Sequence, residues 1–340
     1  MSYSNPVFIP GPTNLPESVR RAIDLPTIDH RSPAFVEAMP KLFAGLKSIF
    51  ATKSPHIFVF PSTGTGGWEA TIANTLSPGD KVLACRHGVF SDKWIRMCEA
   101  FGLVVDVIEC DWRGPADPAL IEAALLADQN HAIKAVLATH NETATGVRSD
   151  LKAIRESIDR AEHNALFFVD GVSSIASMDF QMDAWGVDAA VTGSQKGFMM
   201  PAGLAIVAVS EKAIDAGKTA TLPRFFFDFK QMGQMTHQGG FPYTPPMQLL
   251  AGLQHSIDLL LAEGLDEVFS RHFKMGEGVR QAVSAWNLSL CCEDLQYASD
   301  TVTTIMVPEG FNADRLVEHA YSRYAMSFGA GLGKLAGRAF

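Results

Sequence analysis

Short continuous apolar runs alternate with longer amphipathic stretches through most of the chain. The runs Ile57–Phe60, Lys81–Cys85, Leu103–Ile108, Ile133–Ala138, Leu166–Asp170, Ala189–Thr192 and Leu204–Val209 predict seven strands. Between them, helical spacing of apolar positions predicts helices over about 34–50, 66–76, 91–101, 117–128 and 149–163. Alternation of this kind predicts an α/β fold with a mainly parallel sheet covered by helices on both faces. Apolar runs without a polar alternate fit that arrangement, because such strands are buried on both sides.

Beyond Thr221 the texture changes. Residues 222–246 are rich in Phe, Gly and Pro and predict irregular, site-forming structure. A long helical pattern from Met247 to Trp286 follows, with a break at Gly264. A strand over Thr301–Val307 and a helix over Asn312–Tyr321 begin a smaller second unit. The expected division is an N-terminal arm at 1–20, a large domain at 21–245, and a linking helix with a small domain at 246–340. No closing helix follows Gly329–Gly337, which suggests an incomplete C-terminal domain.

Composition narrows the function classes. The chain has 340 residues, 47% of them hydrophobic, enough for a sizeable core. A net charge of −9 and the lack of a dense Lys/Arg run argue against a nucleic-acid or membrane-surface partner. No apolar run approaches the ~20 residues needed to span a bilayer. The five cysteines form no CxxC pair, which fits free thiols in a reducing, cytoplasmic setting.

Two residues carry the candidate chemistry. Asp170 ends the apolar run LFFVD and is followed by the small residues GVSS. In parallel α/β sheets, ligands sit beyond the carboxyl ends of strands. Lys196 follows the next strand in VTGSQKG. Alone, the aspartate also reads as a helix cap and the lysine as a solvated loop residue. Together, an amine and a carboxylate at neighbouring strand ends suit pyridoxal phosphate, the amine forming a Schiff base and the carboxylate holding the ring nitrogen protonated. Ser62-Thr63-Gly64-Thr65-Gly66-Gly67 lies between a strand and a helix, where exposed N–H groups favour a phosphate. An ordinary capping turn reads equally well there.

The blocks GPTNLP (Gly11–Pro16), STGTGGWEA (Ser62–Ala70), HGVF (His87–Phe90), THNETATG (Thr139–Gly146), VDGVSS (Val169–Ser174), GSQKG (Gly193–Gly197) and FPYTPP (Phe241–Pro246) occur in this order. In this the chain resembles class V pyridoxal-phosphate aminotransferases, most closely the serine–, alanine– and aspartate–glyoxylate branch. The resemblance implies the type I fold of pyridoxal-phosphate transferases, a large domain with a seven-stranded sheet plus a smaller C-terminal α+β domain. It implies that Lys196 is the Schiff-base lysine and Asp170 the partner of the pyridine nitrogen. Gln195 and Thr143 fall near the cofactor's phenolic oxygen and phosphate side, and Thr63, Gly64 and Thr65 in the phosphate loop. Phe90 would stack on the cofactor ring. Gly11, Pro12 and Asn14 would line the substrate end. Thr244 would reach the phosphate of a neighbouring subunit, implying a homodimer with shared active sites. Phe241 stands where some relatives carry a phosphate-binding tyrosine, and Tyr243 is its candidate substitute. The family's substrate-carboxylate arginine would follow Phe340, and Arg338 is out of register for it.

The implied reaction moves an amino group from a small L-amino acid to glyoxylate, giving glycine and a 2-oxo acid. Serine, aspartate and alanine all remain open as donors, and so does the pathway the reaction serves. A lyase or desulfurase of the same fold, and a non-catalytic member, are the rivals. Cys291 and Cys292 read as buried structural thiols rather than a desulfurase nucleophile. His30 and Arg31 are candidates for touching a substrate carboxylate, with loop ordering as their plainer role. His140 and His237 lack metal-ligand spacing, and no metal is expected.

Overall fold

The computed structural model describes residues 6–340, so the first five residues of the expected arm lie outside the described residues. All seven strand candidates form one sheet: β1 (Ile57–Ser62), β2 (Lys81–Arg86), β3 (Val104–Glu109), β4 (Ile133–Thr139), β5 (Leu166–Asp170), β6 (Ala189–Gly193) and β7 (Gly203–Val209). The strand order is β1-β7-β6-β5-β4-β2-β3. β7 runs antiparallel to both neighbours, and every other pairing is parallel. The carboxyl ends of the other six strands therefore point the same way, and their loops meet along one edge of the sheet. Every residue of β5 and β6 is buried, whereas β3, at the sheet margin, is half exposed.

Local chemistry sets where the covering helices start and stop. Helix α1 (Glu17–Ile23) precedes α2 (Pro33–Phe50), whose N-cap Ser32 accepts from Phe35 N–H and whose first residue is proline. Met39, Leu42, Leu46 and Ile49 give α2 a buried stripe at helical spacing. α3 (Gly64–Thr75) and α4 (Val89–Ala100) lead away from the strand ends after β1 and β2. Asp117 caps α5 (Pro118–Ala127) and Asp150 caps α6 (Leu151–Arg160), each through a backbone N–H of the first turn. The indoles of Trp68 on α3 and Trp94 on α4 stack at 5.5 Å, tying these two helices together.

The region after β7 departs from expectation. A short helix, α7 (Glu211–Ala216), follows the sheet, and α8 (Phe229–Thr236) forms inside the segment expected to be irregular. Asp228 accepts from Gln231 N–H and caps α8, while Phe229 and Met232 bury its inner face. The long helical stretch breaks at Gly264, where φ is +88°, into α9 (Met247–Glu263) and α10 (Leu265–Ala285).

Of the strand expected over Thr301–Val307, only the end pairs: Ile305–Met306 with Ser289–Leu290, and residues 305–307 with residues 338–340. The Thr301 side chain instead bonds to loops of the main sheet. The last helix, α11, spans Ala313–Tyr324, and Ser327–Phe328 pairs with Val7–Phe8 near the N-terminus. Among the described residues, no helix is long and apolar enough to cross a membrane.

Candidate active site

Asp170 ends β5 at 4% exposure, and its Oδ1 accepts the Val172 N–H at 2.9 Å. Burial pushes its carboxyl up to about 7, with the charge of Glu142 adding to the rise and Lys196 opposing it. Lys196 lies in the turn after β6. Its amine is held below the ordinary lysine range by burial, while Asp170 pulls the other way. The two groups thus share a low-dielectric space in which each alters the other's protonation.

The N-terminal loop closes over this lysine. Lys196 Nζ donates to the Pro10 carbonyl, and Thr13 N–H donates to the Gln195 carbonyl at 3.1 Å. The Thr13 hydroxyl donates to the Lys196 carbonyl at 3.4 Å. Of the residues expected at the substrate end, Gly11 lies against the lysine side chain, Pro12 is exposed, and Asn14 donates to the Val7 carbonyl. A cleft of about 400 Å³ opens beside Lys196 and is shared by Thr13, Asn14, Ser173 and Thr301. Two further residues, Arg271 and His272, also line it, and burial lowers the His272 imidazole. Arg271 is bound to Glu263, and His272 Nδ1–H to the Val268 carbonyl. Arg31 is exposed, and neither it nor His30 lines the cleft. A larger cavity of about 500 Å³ contains none of the residues expected to hold the cofactor; Cys292 lines it, and its Arg280 is engaged by Glu277 and the Ser299 carbonyl.

The glycine loop leads from β1 into α3. Thr63 is the N-cap, yet its side chain makes no capping bond, so its hydroxyl is available to an incoming group. A Cβ on Gly64 would sit 2.4 Å from Val172 Cγ2, and one on Gly66 2.0 Å from Ser62 Oγ, so neighbouring side chains already fill the space a Cβ would need. Thr65 is half-buried on the first turn.

A polar network joins the strand ends. The Thr143 hydroxyl donates to Ser173 Oγ at 2.9 Å, and Ser173 donates to the Asn141 carbonyl at 2.9 Å. Asn141 Nδ2 donates to Thr301 Oγ1, which donates to the Ser173 carbonyl, both at 3.0 Å. His140 Nδ1 lies 2.9 Å from Ser174 Oγ. Fully buried Glu142 accepts backbone N–H groups from Phe90, Ser91 and Ala144. The sequence reading did not single out Asn141, Glu142, Ser173 or Thr301. Asn141, Glu142 and Ser173 lie within the family blocks Thr139–Gly146 and Val169–Ser174, and Thr301 opens the expected strand.

The remaining candidates fall outside this network. Thr244 is exposed. Phe241 is buried against Phe35, and Tyr243 stacks on Phe226 at 4.3 Å with its hydroxyl buried and unbonded. Cys291 and Cys292 are buried, and burial raises both thiols, Cys291 to about 11.

Buried side-chain polar atoms without partners offer a physical test of cofactor fit. Trp68 Nε1, both ring nitrogens of His87, Asn141 Oδ1 and Gln195 Oε1 are unsatisfied, and all lie on segments at the carboxyl edge of the sheet. Orphaned buried polar groups are costly and rare. A buried amine, a facing carboxylate, an uncapped helix N-terminus and unpaired donors and acceptors suit a phosphorylated pyridine aldehyde.

Comparison with known proteins agrees. The class-V aminotransferase family model matches residues 20–323. The L-aspartate–glyoxylate aminotransferase of Paracoccus denitrificans is 56% identical over 340 residues, 100% of this chain and 86% of that protein. The serine–glyoxylate aminotransferase of Hyphomicrobium methylovorum is 52% identical, over 100% of this chain and 84% of that protein. Among solved structures, the alanine–glyoxylate aminotransferase of Nostoc sp. superposes with a TM-score of 0.93 at 29% identity, over 100% of this chain and 89% of that one. With its carboxylate and lysine at neighbouring strand ends, this chain belongs to the class-V aminotransferases and works through pyridoxal phosphate.

Proposed function

We propose that the protein transfers the amino group of a small L-amino acid, serine or aspartate, to glyoxylate, giving glycine and a 2-oxo acid. The observation that carries this reading is the pairing of buried Asp170 with half-buried Lys196 beneath the N-terminal loop. The glyoxylate assignment draws its support from the serine–glyoxylate and aspartate–glyoxylate activities for which the relatives are named.

Pyridoxal phosphate, when bound, supplies an electron sink for the bond broken at the donor's Cα. Lys196 is its covalent anchor. Its Nζ would be the base that takes the donor's Cα proton. Burial favours its neutral form, which that step requires. Asp170 would hold a proton at the ring nitrogen. Thr63, Gly64 and Thr65, with the first N–H groups of α3, would bind the phosphate, Phe90 would stack on the ring, and Thr143 and Gln195 would orient its polar substituents. Gly11, Pro12 and Asn14 border the donor and help exclude water.

The reading includes a large domain over 21–245, a small domain from 246 onward and a cytoplasmic setting. It also includes a homodimer in which Thr244 completes the partner's phosphate site. Phe225, 85% exposed, and half-exposed Phe226 form an aromatic surface near Thr244 that such a partner would cover.

The test is a visible spectrum of the cofactor-loaded protein with serine, aspartate and alanine added singly and no acceptor. Bleaching by one donor, restored by glyoxylate, supports the reading and identifies the donor. A loaded protein that no donor bleaches overturns it. Lys196→Ala should lose essentially all turnover, since both the anchor and the base go with it.

A further inference from the structure

We propose that Glu142 is a positioning residue that clamps the Phe90 helix and the Thr143 loop into one cofactor-ready arrangement. The inference rests on the reading above that Phe90, Thr143 and Asp170 hold the cofactor.

The carboxylate is fully buried and has donors on both oxygens. Oε2 accepts Phe90 N–H at 3.1 Å and Ser91 N–H at 2.9 Å. Oε1 accepts Phe90 N–H at 3.2 Å and Ala144 N–H at 3.1 Å. Phe90 and Ser91 lie in the first turn of α4, whose N-cap is Gly88 and offers no side chain. The helix therefore takes its cap from a residue 51 positions away, and the carboxylate sits at the positive end of the helix dipole.

Steric complementarity makes the fit specific. A Cβ on Gly88 would fall 2.1 Å from Glu142 Cγ and 2.2 Å from Cδ, so the space above Gly88 belongs to this side chain. Gly88 has a φ of 176°, ordinary extended backbone, so its need for glycine is this close approach and not its own conformation. The third donor, Ala144, immediately follows Thr143, whose hydroxyl bonds to Ser173. One carboxylate thus sets the distance between the ring-stacking residue and the strand-end hydroxyl network. Both oxygens accept N–H groups, which favours the ionised form, while burial, the stronger influence, pushes the carboxyl up. That charge also acts on Asp170, where it favours retention of a proton.

A plain helix cap would contribute stability and nothing to the cofactor, and the two roles separate by experiment. Glu142→Gln keeps the shape and one good acceptor but turns an amide N–H₂ toward backbone donors. Its pyridoxal phosphate dissociation constant, measured by equilibrium dialysis on cofactor-free protein, should rise at least tenfold. The visible circular dichroism of whatever cofactor binds should fall, because the ring is no longer held in one orientation. Asp117→Ala, which removes the cap of α5 away from the site, should lower the thermal midpoint with an unchanged dissociation constant. If Glu142→Gln fails to fold, Gly88→Ala crowds the same carboxylate from below and should produce the same tenfold loss.

Wild-type cofactor affinity and visible dichroism in Glu142→Gln would overturn the proposal, whatever its thermal midpoint. In the Gly88→Ala arm, wild-type affinity and dichroism would do the same. A wild-type protein that takes up no cofactor would instead sink the reading on which the proposal rests.

Discussion

The amine of Lys196 donates to the carbonyl oxygen of Pro10, which stands 186 residues earlier in the chain. Next to that carbonyl, Gly11 has a φ of +126°, and a Cβ there would lie 2.6 Å from Lys196 Cδ and 2.7 Å from Nζ. Sequence distance is therefore no guide to what this lysine feels. The N-terminal loop is the roof of the amine.

Gly11→Ala should accordingly damage cofactor attachment more than folding. Backbone strain at positive φ costs about 1 kcal/mol, and the methyl group also displaces the lysine. We expect substoichiometric cofactor in the purified variant, measured by its release in alkali, with far-UV circular dichroism unchanged.

Asp170 makes the cofactor-free protein sensitive to rising pH. Its carboxyl is raised to about 7 in the fold by burial and by Glu142, with Lys196 opposing, against an ordinary value near 3.8. A raised value means that its stabilising contribution is complete below about pH 4 and is lost as pH climbs through 7. Asp170→Asn should remove that loss. Denaturant unfolding of the cofactor-free proteins should show the variant gaining on wild type between pH 4 and 8, by up to about 4 kcal/mol. Equal pH slopes would refute the assignment.

His87 should have the opposite effect on the acid side. Burial without any ring partner lowers it to about 4. For a base with a depressed value, stability is present above about 6.5 and is lost as pH falls through 4. His87→Asn should flatten the fall in thermal midpoint between pH 6.5 and 4, while His140, lowered to about 3 by its own burial, keeps its full share of that fall.

The cysteines separate a transaminase from a desulfurase. Burial holds the Cys291 and Cys292 thiols up, whereas half-buried Cys110 is lowered to about 7 by the Cys85 thiol beside it. Iodoacetamide at pH 7.5 should therefore label Cys110 first, as read by peptide mass mapping. Replacement of both Cys291 and Cys292 by alanine should leave amino transfer within a few-fold of wild type, and neither protein should release sulfide from cysteine.

The central sheet was legible because burial on both faces leaves continuous apolar runs. Leu166–Asp170 was bounded to the residue, and its terminal carboxylate marked the site. The family blocks carried Lys196 and the glycine loop as well. Glu142 stayed hidden because its role is defined by backbone donors 51 and 52 positions away, and main-chain N–H groups leave no trace in residue identity. Thr301–Val307 looked like a strand because β-branched residues dominate it, but Thr301 spends its hydroxyl on Asn141 and Ser173, and the ladder begins only at Ile305. The α8 helix was masked by aromatic and glycine neighbours although Asp228 supplied its cap.

The stacked indoles of Trp68 and Trp94 join the helix that starts at the glycine loop to the helix that carries Phe90. Trp68 Nε1 lies near enough to Asp170 to favour its ionised form yet falls short of a hydrogen bond. A ring held at Asp170 would come close to this stacked pair, so part of the tryptophan emission should fall as the site fills, with no dye or label required.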